Sequence, residues 1–254
     1  EKSFYVYLIM EVNKKIVYIK DWILNYVDSM PKKAQSLIIG ISGGIDSSVS
    51  STLSAMTGLK TIVLTMPIKQ ITSQHDLSIQ HRDWLKSKFK NVEAHTIKLD
   101  EVFNSFKSIL SNFDNDHGMA NSRARIRMTT LYQVASANNG IVVGTGNKVE
   151  DFGVGFYTKY GDGGVDISPL ADCTKTEIWE LGKELGITKE IIDAQPTDGL
   201  WDDGRTDEGQ LGLTYQELEE AMNNEKSKNR KKYLEIRKLN LHKMNSIPVC
   251  KIPK

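Results

Sequence analysis

Gly40-Ile41-Ser42-Gly43-Gly44-Ile45-Asp46-Ser47-Ser48 is the stretch from which the fold is read. The apolar run Ser36-Leu37-Ile38-Ile39-Gly40-Ile41 precedes it and predicts a buried strand of a parallel sheet. Val49-Ser50-Ser51-Thr52-Leu53-Ser54-Ala55-Met56 follows and predicts a helix ending near Gly58. The chain therefore runs strand, Gly/Ser turn, helix start. Paired glycines let the backbone approach a ligand with no Cβ in the way. The free N–H groups and positive end of the helix favour an anion there. Ser42, Ser47 and Ser48 add hydroxyls. No Lys follows the glycines as in a Walker loop, and there is no G-x-G-x-x-G fingerprint. Asp46 and Ser47 could serve merely as helix caps. The strand–turn–helix context favours phosphate binding instead.

Composition narrows the class. At 254 residues the chain is long enough for one large α/β domain or two small ones. We read it as a single domain over 1–254. An N-terminal helix occupies 3–29, an α/β core about 36–172 and a helical part about 173–245. Hydrophobic residues at 39% and charged residues at 26% suit a soluble globular protein. A net charge of +1 gives no global field for nucleic acid. The run Phe4–Met10 is too short to span a membrane and has no cleavage site behind it. Cys173 and Cys250 have neither metal spacing nor a disulfide framework, which fits a reducing cytoplasm.

Leu8, Val12, Ile16, Ile19, Ile23 and Val27 recur at spacings of three and four and predict one helix over 3–29. Lys60–Thr65 predicts a second strand, and the loop Thr65–Gln70 after it an adenine pocket. Ser73 to about Phe89 reads as helix, with His75 and His81 at its surface. Val92–Leu99 predicts a third strand. Glu101–Asn112 predicts a helix with Val102, Phe106, Ile109 and Leu110 on its apolar side. Asp114–Gly118 reads as a solvated turn, and Met119–Asn138 as a further helix. On it Arg123, Arg125 and Arg127 alternate, so they point in different directions and at least one turns inward.

Gly140–Thr145 predicts the fourth strand. Strand ends in an open parallel sheet share one crevice, which brings Glu150 near Asp46. Gly155–Leu170 mixes glycines with aromatic and charged residues, a poor helix or strand and the mark of a structured loop. Thr174 with Glu177 and Thr214 with Glu217 are capping boxes, and Gly186 ends the first of those helices. A short helix is predicted at Lys189–Ala194. Residues 202–212, acidic and rich in glycine, read as mobile. The basic run in the last helix, about Lys226–His242, reads as a solvated face.

The S-G-G-x-D-S stretch resembles the loop of the ATP pyrophosphatases, the PP-loop family. That loop alone is shared by several synthetases and tRNA-modifying enzymes. Asn121-x-x-Ala124-Arg125, Leu131-Tyr132, Gly144-Thr145-x-Asn147-x-x-Glu150, Phe156-x-Thr158-Lys159-Tyr160-Gly161-Asp162-Gly163-Gly164, Thr174-Lys175, Pro196-Thr197 and His242-Lys243 together resemble the NAD synthetases. The resemblance runs from Ser36 to Lys243. It implies an α/β fold with an open parallel sheet flanked by helices, Rossmann-like and three-layered, of the adenine nucleotide alpha hydrolase type.

The implied reaction joins ammonia to deamido-NAD at the expense of ATP, through an adenylated carboxylate, giving NAD, AMP and pyrophosphate. The enzyme would be a ligase forming a C–N bond. By the same resemblance Gly40, Ile41, Ser42, Gly43, Gly44, Ile45, Asp46, Ser47, Thr145, Lys175 and Thr197 contact ATP. Asp46 and Glu150 hold Mg²⁺, whose hard character suits carboxylate and phosphate oxygens. Arg125, Lys159, Asp166, His242 and Lys243 contact deamido-NAD. Asp162 is the expected carboxylate for ammonia, which must be captured as ammonium and deprotonated. The span from Glu150 to Lys159 is one residue longer than in some members. A cytoplasmic homodimer with the substrate at the subunit interface is implied, with no nucleic acid or membrane partner. Free ammonia is the expected donor, because the chain has no spare length for a glutaminase and neither cysteine has a hydrolase setting. Two other readings are a tRNA-modifying PP-loop enzyme, which would want a cysteine pair or a basic extension, and a nucleotide-binding module without catalysis, which would not need Asp46 and Glu150 together.

Overall fold

The computed structural model describes residues 11–69, 72–201 and 203–253. The predicted helical residues 3–10, Leu8 among them, lie outside this range. Four strands form a parallel sheet: β1 Ser36–Gly40, β2 Lys60–Thr65, β3 Val92–Thr96 and β4 Gly140–Val142, in the order β3-β2-β1-β4. Leu37 pairs with Thr61 on one side and Ile141 on the other. The central strand is buried on both faces, which is why its sequence is continuously apolar rather than alternating.

Successive side chains of β1 enter different layers. Leu37 and Ile39 join Ile23, Val49, Val63, Ile178 and Leu181 beneath α1 (Val12–Ser29), α2 (Ile45–Met56) and α6 (Lys175–Glu184). Ile38 joins Ile62, Leu64, Phe103, Ala135 and Val142 beneath α4 (Asp100–Ile109) and α5 (Asp116–Ala137). The apolar stripe of α1 is buried as its spacing requires, at Ile16, Ile19, Ile23 and Val27. Helix α3 (Thr72–Lys88) covers the β2–β3 edge.

Helix α2 is the most polar buried element. Thr52 and Ser54 satisfy their hydroxyls by donating to the carbonyls of Ser48 and Ser50, four residues back. Ser50 donates to the Gly144 carbonyl at 2.8 Å, tying the helix to the end of β4. The helix begins at Ile45, four residues earlier than its apolar pattern indicates, so Asp46 and Ser47 sit in its first turn.

Four further expectations need correction. His81 is fully buried, not at the surface: its Nε2 lies 3.0 Å from Ser51 Oγ and its ring stacks on Trp84. In α4 the inward residue is Phe103, while Val102 and Ile109 are exposed. Asp116–Gly118 belongs to α5, because Asn115 caps it by accepting from Gly118 N–H at 2.7 Å. Residues 203–212 are not featureless: they contain the helix α8 (Asp207–Leu211).

The remaining C-terminal elements are α7 (Lys189–Ile192), α9 (Tyr215–Asn223) and α10 (Arg230–Met244). Both predicted capping boxes form, at Thr174 and Thr214. Tyr215, Leu218 and Tyr233 bury a third apolar cluster with Val149 and Val154. That cluster fastens the helical part to the end of β4.

Candidate active site

The strand order reverses between β1 and β4, so their C-terminal ends open onto one crevice, where ligands of such sheets bind. A cavity of about 270 Å³ lies there, floored by residues 40–47. Gly43 takes φ +94°, a backbone state that disfavours side chains, and turns the loop into α2. Ser47 Oγ accepts from Ser42 N–H at 3.2 Å and donates to the Gly44 carbonyl at 3.0 Å. The serine therefore braces the loop from inside. Neither Asp46 nor Ser47 caps α2: Gly44 holds that position without a side-chain bond.

Beyond β4 the chain makes a wide helical turn over Lys148–Val154, of the π type. Asn147 starts it by accepting from Val149 N–H and Glu150 N–H, each at 3.0 Å. A π-type turn takes up one residue more than an α turn. Glu150 stays in the lining of the crevice. A Cβ on Gly146 would lie 2.0 Å from Asp151 Oδ2, so any larger residue there would displace the Asp151 carboxyl.

Asp46 and Glu150 meet through one ammonium. Lys175 Nζ, at the start of α6, donates to Asp46 Oδ2 at 2.5 Å and to Glu150 Oε1 at 3.1 Å. Lys175 is 1% exposed. Burial opposes its charge, yet the two carboxylates hold its pKa above the ordinary lysine value. Asn147 donates a further bond to Asp46 Oδ1 at 3.0 Å. Tyr215 OH donates to Glu150 Oε1 at 2.5 Å and stands 3.2 Å from Asp207 Oδ2. Burial pushes Asp207 up to about 8, and Glu150 adds to the effect.

Asp46, Thr145, Glu150, Asp162, Lys175 and Thr197 all line the same cavity. Asp162 is reachable by solvent, yet its carboxyl stands within the crevice walls and accepts from Thr158 N–H at 2.9 Å. Desolvation there pushes it up to about 6, with Glu150 and Asp198 contributing. The 155–170 loop is pinned to α5, as Thr158 Oγ1 donates to Asn121 Oδ1 at 2.6 Å. Ile167 pairs with Val143 in parallel, so this loop ends as a one-residue extension of the sheet.

The residues expected to contact the second substrate lie elsewhere. Arg125 Nε donates to the Lys159 carbonyl at 3.2 Å, and Lys159 Nζ to the His242 carbonyl at 3.4 Å. Lys243 Nζ donates to the Tyr157 carbonyl at 2.8 Å. These four form a basic cluster joining α5, the 155–170 loop and α10, beside the cavity and not in its lining. Asp166 stands apart from them, accepting from Val142 N–H at 2.7 Å and Tyr132 OH at 3.0 Å.

Of the three alternating arginines, two turn inward. Arg123 is 7% exposed and donates to the Leu200 carbonyl, and Arg127 lines the cavity. Sequence reasoning named Arg127 without singling it out, and passed over Asp151, Asp198, Asp207 and Tyr215. The capping box at Thr214 was the available signal for Tyr215, since it places that tyrosine in a first helical turn, but nothing local aims it at Glu150. Cys173 and Cys250 are both free thiols, and Cys173 is buried with its thiol pushed up to about 11, so it is not an activated nucleophile.

The NAD synthase family model matches residues 15–252. An NH(3)-dependent NAD(+) synthetase from Methanosarcina acetivorans is 35% identical over 235 residues, 89% of each chain. One from Mesoplasma florum is 36% identical over 236 residues, covering 89% of this chain and 93% of that one. The solved NMN synthetase from Francisella tularensis superposes with a TM-score of 0.88 at 31% identity, over 96% of this chain and 100% of that one. On the match of sequence and fold together, this chain belongs to the NAD synthase family.

Proposed function

We propose that the crevice between β1 and β4 performs the ATP-driven amidation of deamido-NAD with ammonia, giving NAD, AMP and pyrophosphate. The observation that carries this is the convergence of Asp46 and Glu150 on Lys175 beside the glycine turn. A nicotinate carboxylate is a poor electrophile. Transfer of an adenylyl group converts one of its oxygens into a leaving group. The backbone N–H groups of 42–47 hold the departing diphosphate, aided by the positive end of α2. Lys175 offsets its charge. Asp162 captures ammonium and takes its proton, and ammonia then attacks the carbonyl carbon. A base poised near neutrality suits that transfer, and Asp162 is shifted toward it.

Asp46 and Glu150 are the residues that would hold Mg²⁺. Their oxygens reach a single point, and no group of three or more acidic, histidine or cysteine side chains forms a closed metal cage among the described residues. That suits a cation which takes one or two carboxylates and completes its shell with phosphate and water. Bound there, it would neutralise charge on the leaving diphosphate. Arg125, Lys159 and Lys243 offer the positive charge a dinucleotide diphosphate needs, and His242, beside Lys243 on α10, is proposed as a further contact. Asp166 is proposed as a further contact with deamido-NAD. Because the basic cluster lies outside the cavity, we assign the dinucleotide to a groove completed by a second copy of the chain in a homodimer. Among the described residues no helix is long and apolar enough to cross a membrane. Cytoplasmic action is part of the proposal.

The purified chain, given ATP, Mg²⁺, deamido-NAD and ¹⁵N-ammonium, is expected to yield NAD one mass unit heavier than with ¹⁴N. No labelled NAD would reject the reading. The high TM-score with a protein named NMN synthetase favours one second reading, in which the mononucleotide acid is the substrate. A higher kcat/KM for nicotinate mononucleotide than for deamido-NAD would select it.

A further inference from the structure

Among the described residues two cationic side chains line the cavity, Lys175 and Arg127. Lys175 already holds two carboxylates, Asp46 and Glu150. Arg127 has no such partner. Its Nε donates to the Met66 carbonyl at 3.0 Å, and no carboxylate pairs with its guanidinium among the described residues. Burial, with the like charge of Arg123, lowers it to about 10, so it stays charged at neutral pH. Asp162, Asp198 and Asp100 attract it from beyond ion-pair distance, and a half-buried guanidinium that faces a cavity with none of them in contact is set to take an anion from outside.

Its position identifies which anion. Met66, on whose carbonyl Arg127 rests, packs with Leu131 against the end of β1, where a Cβ on Gly40 would lie 3.2 Å from Met66 Cε. These form an apolar wall fit for a planar base. Asp162, which lines the same cavity, is among the carboxylates that attract Arg127. The loop amides of 42–47 belong to the departing diphosphate. The anion between the base and the reacting centre is the phosphoryl group that carries the nucleoside.

We propose that Arg127 binds the oxygens of this α-phosphoryl group, before and after its transfer to the substrate carboxylate. In that step a carboxylate oxygen bonds to phosphorus as the bond from phosphorus to the bridging oxygen of the leaving pyrophosphate breaks. Arg127 forms no covalent bond and offsets charge on the non-bridging oxygens. The inference rests on the reading of the reaction given above.

The test compares AMP and pyrophosphate binding by calorimetry in the wild type, Arg127→Gln and Arg127→Lys. AMP carries the α-phosphoryl group and pyrophosphate does not. Arg127→Gln is expected to weaken AMP about tenfold to a hundredfold and to leave pyrophosphate unchanged. Arg127→Lys is expected to recover part of the loss, because it keeps charge without the fork. Should the Gln variant not fold, the Lys variant with its smaller expected loss decides. Equal AMP affinity in all three proteins overturns the inference, as does equal weakening of both ligands. A wild type that binds neither AMP nor pyrophosphate sinks the reaction itself, which separates the two failures.

Discussion

The hydroxyl of Tyr215 donates to Glu150 Oε1 at 2.5 Å, from a helix 65 residues further along the chain. The tyrosine is fully buried, stands edge-on to Trp179 and places its ring 4.8 Å from Lys175 Nζ. It thereby fixes one of the two carboxylates that meet on that lysine. Tyr215→Phe keeps the ring and removes the bond, which as a hydrogen bond to a charged group is worth about 1.5–3 kcal/mol. The Mg²⁺ concentration for half-maximal activity is expected to rise several-fold, with the melting temperature lowered modestly. Mn²⁺ affinity read by electron paramagnetic resonance should fall in parallel. An unchanged metal requirement would show that Glu150 needs no such tether.

Lys175 holds two carboxylates in a site where water is scarce. Lys175→Met leaves Asp46 and Glu150 facing each other uncompensated. Breaking a buried ion pair from one side typically costs about 3–5 kcal/mol. Denaturant unfolding without metal should show a loss of that order, and added Mg²⁺ should restore part of it. A variant as stable as the parent without metal would mean that the carboxylates separate freely.

His81 makes stability depend on pH. Burial lowers its pKa to about 4, against 6.5 for an exposed histidine. Between those values the unfolded chain takes a proton that the folded chain refuses. Stability is therefore whole above about 6.5 and declines as pH falls toward 4, by an amount on the order of 3 kcal/mol. His81→Gln should flatten that part of the stability profile. An equally steep profile in the variant would place the effect elsewhere.

Asp162 is assigned the capture of ammonium. Asp162→Asn should lower turnover about a hundredfold, the usual worth of a positioned base, while ATP affinity stays within a factor of about two. The wild-type profile should lose activity as pH falls through about 6, where the carboxyl takes up a proton. Full turnover in the variant would remove Asp162 from the reaction.

The core of this arrangement was legible because it depends on short-range chemistry. An apolar run into Ser42-Gly43-Gly44 gave strand, turn and helix, and the crevice rule then brought Glu150 to Asp46. The capping boxes at Thr174 and Thr214 likewise depend on contacts three residues apart. What stayed hidden depends on contacts between distant segments. His81 looks like any helix surface residue until α3 is laid on Ser51. Asp207 sits in a glycine-rich acidic stretch that reads as solvent-facing, and only the fold turns it toward Tyr215. The alternation of Arg123, Arg125 and Arg127 said that some arginine turns inward but not which one. The carbonyls of Leu200 and Met66 decide that, by receiving Arg123 and Arg127.

We propose that the amides and carboxylates around Gly43 and Asp46 couple the release of pyrophosphate from ATP to adenylylation of a second substrate. The most direct measurement is pyrophosphate release from ATP by the purified chain, with deamido-NAD and ammonium added or withheld, in the wild type and in Asp46→Asn. Release should require deamido-NAD, continue past one turnover only with ammonium, match NAD formation one for one, and vanish in the variant. Release that ignores deamido-NAD, or that survives in Asp46→Asn, would contradict the account.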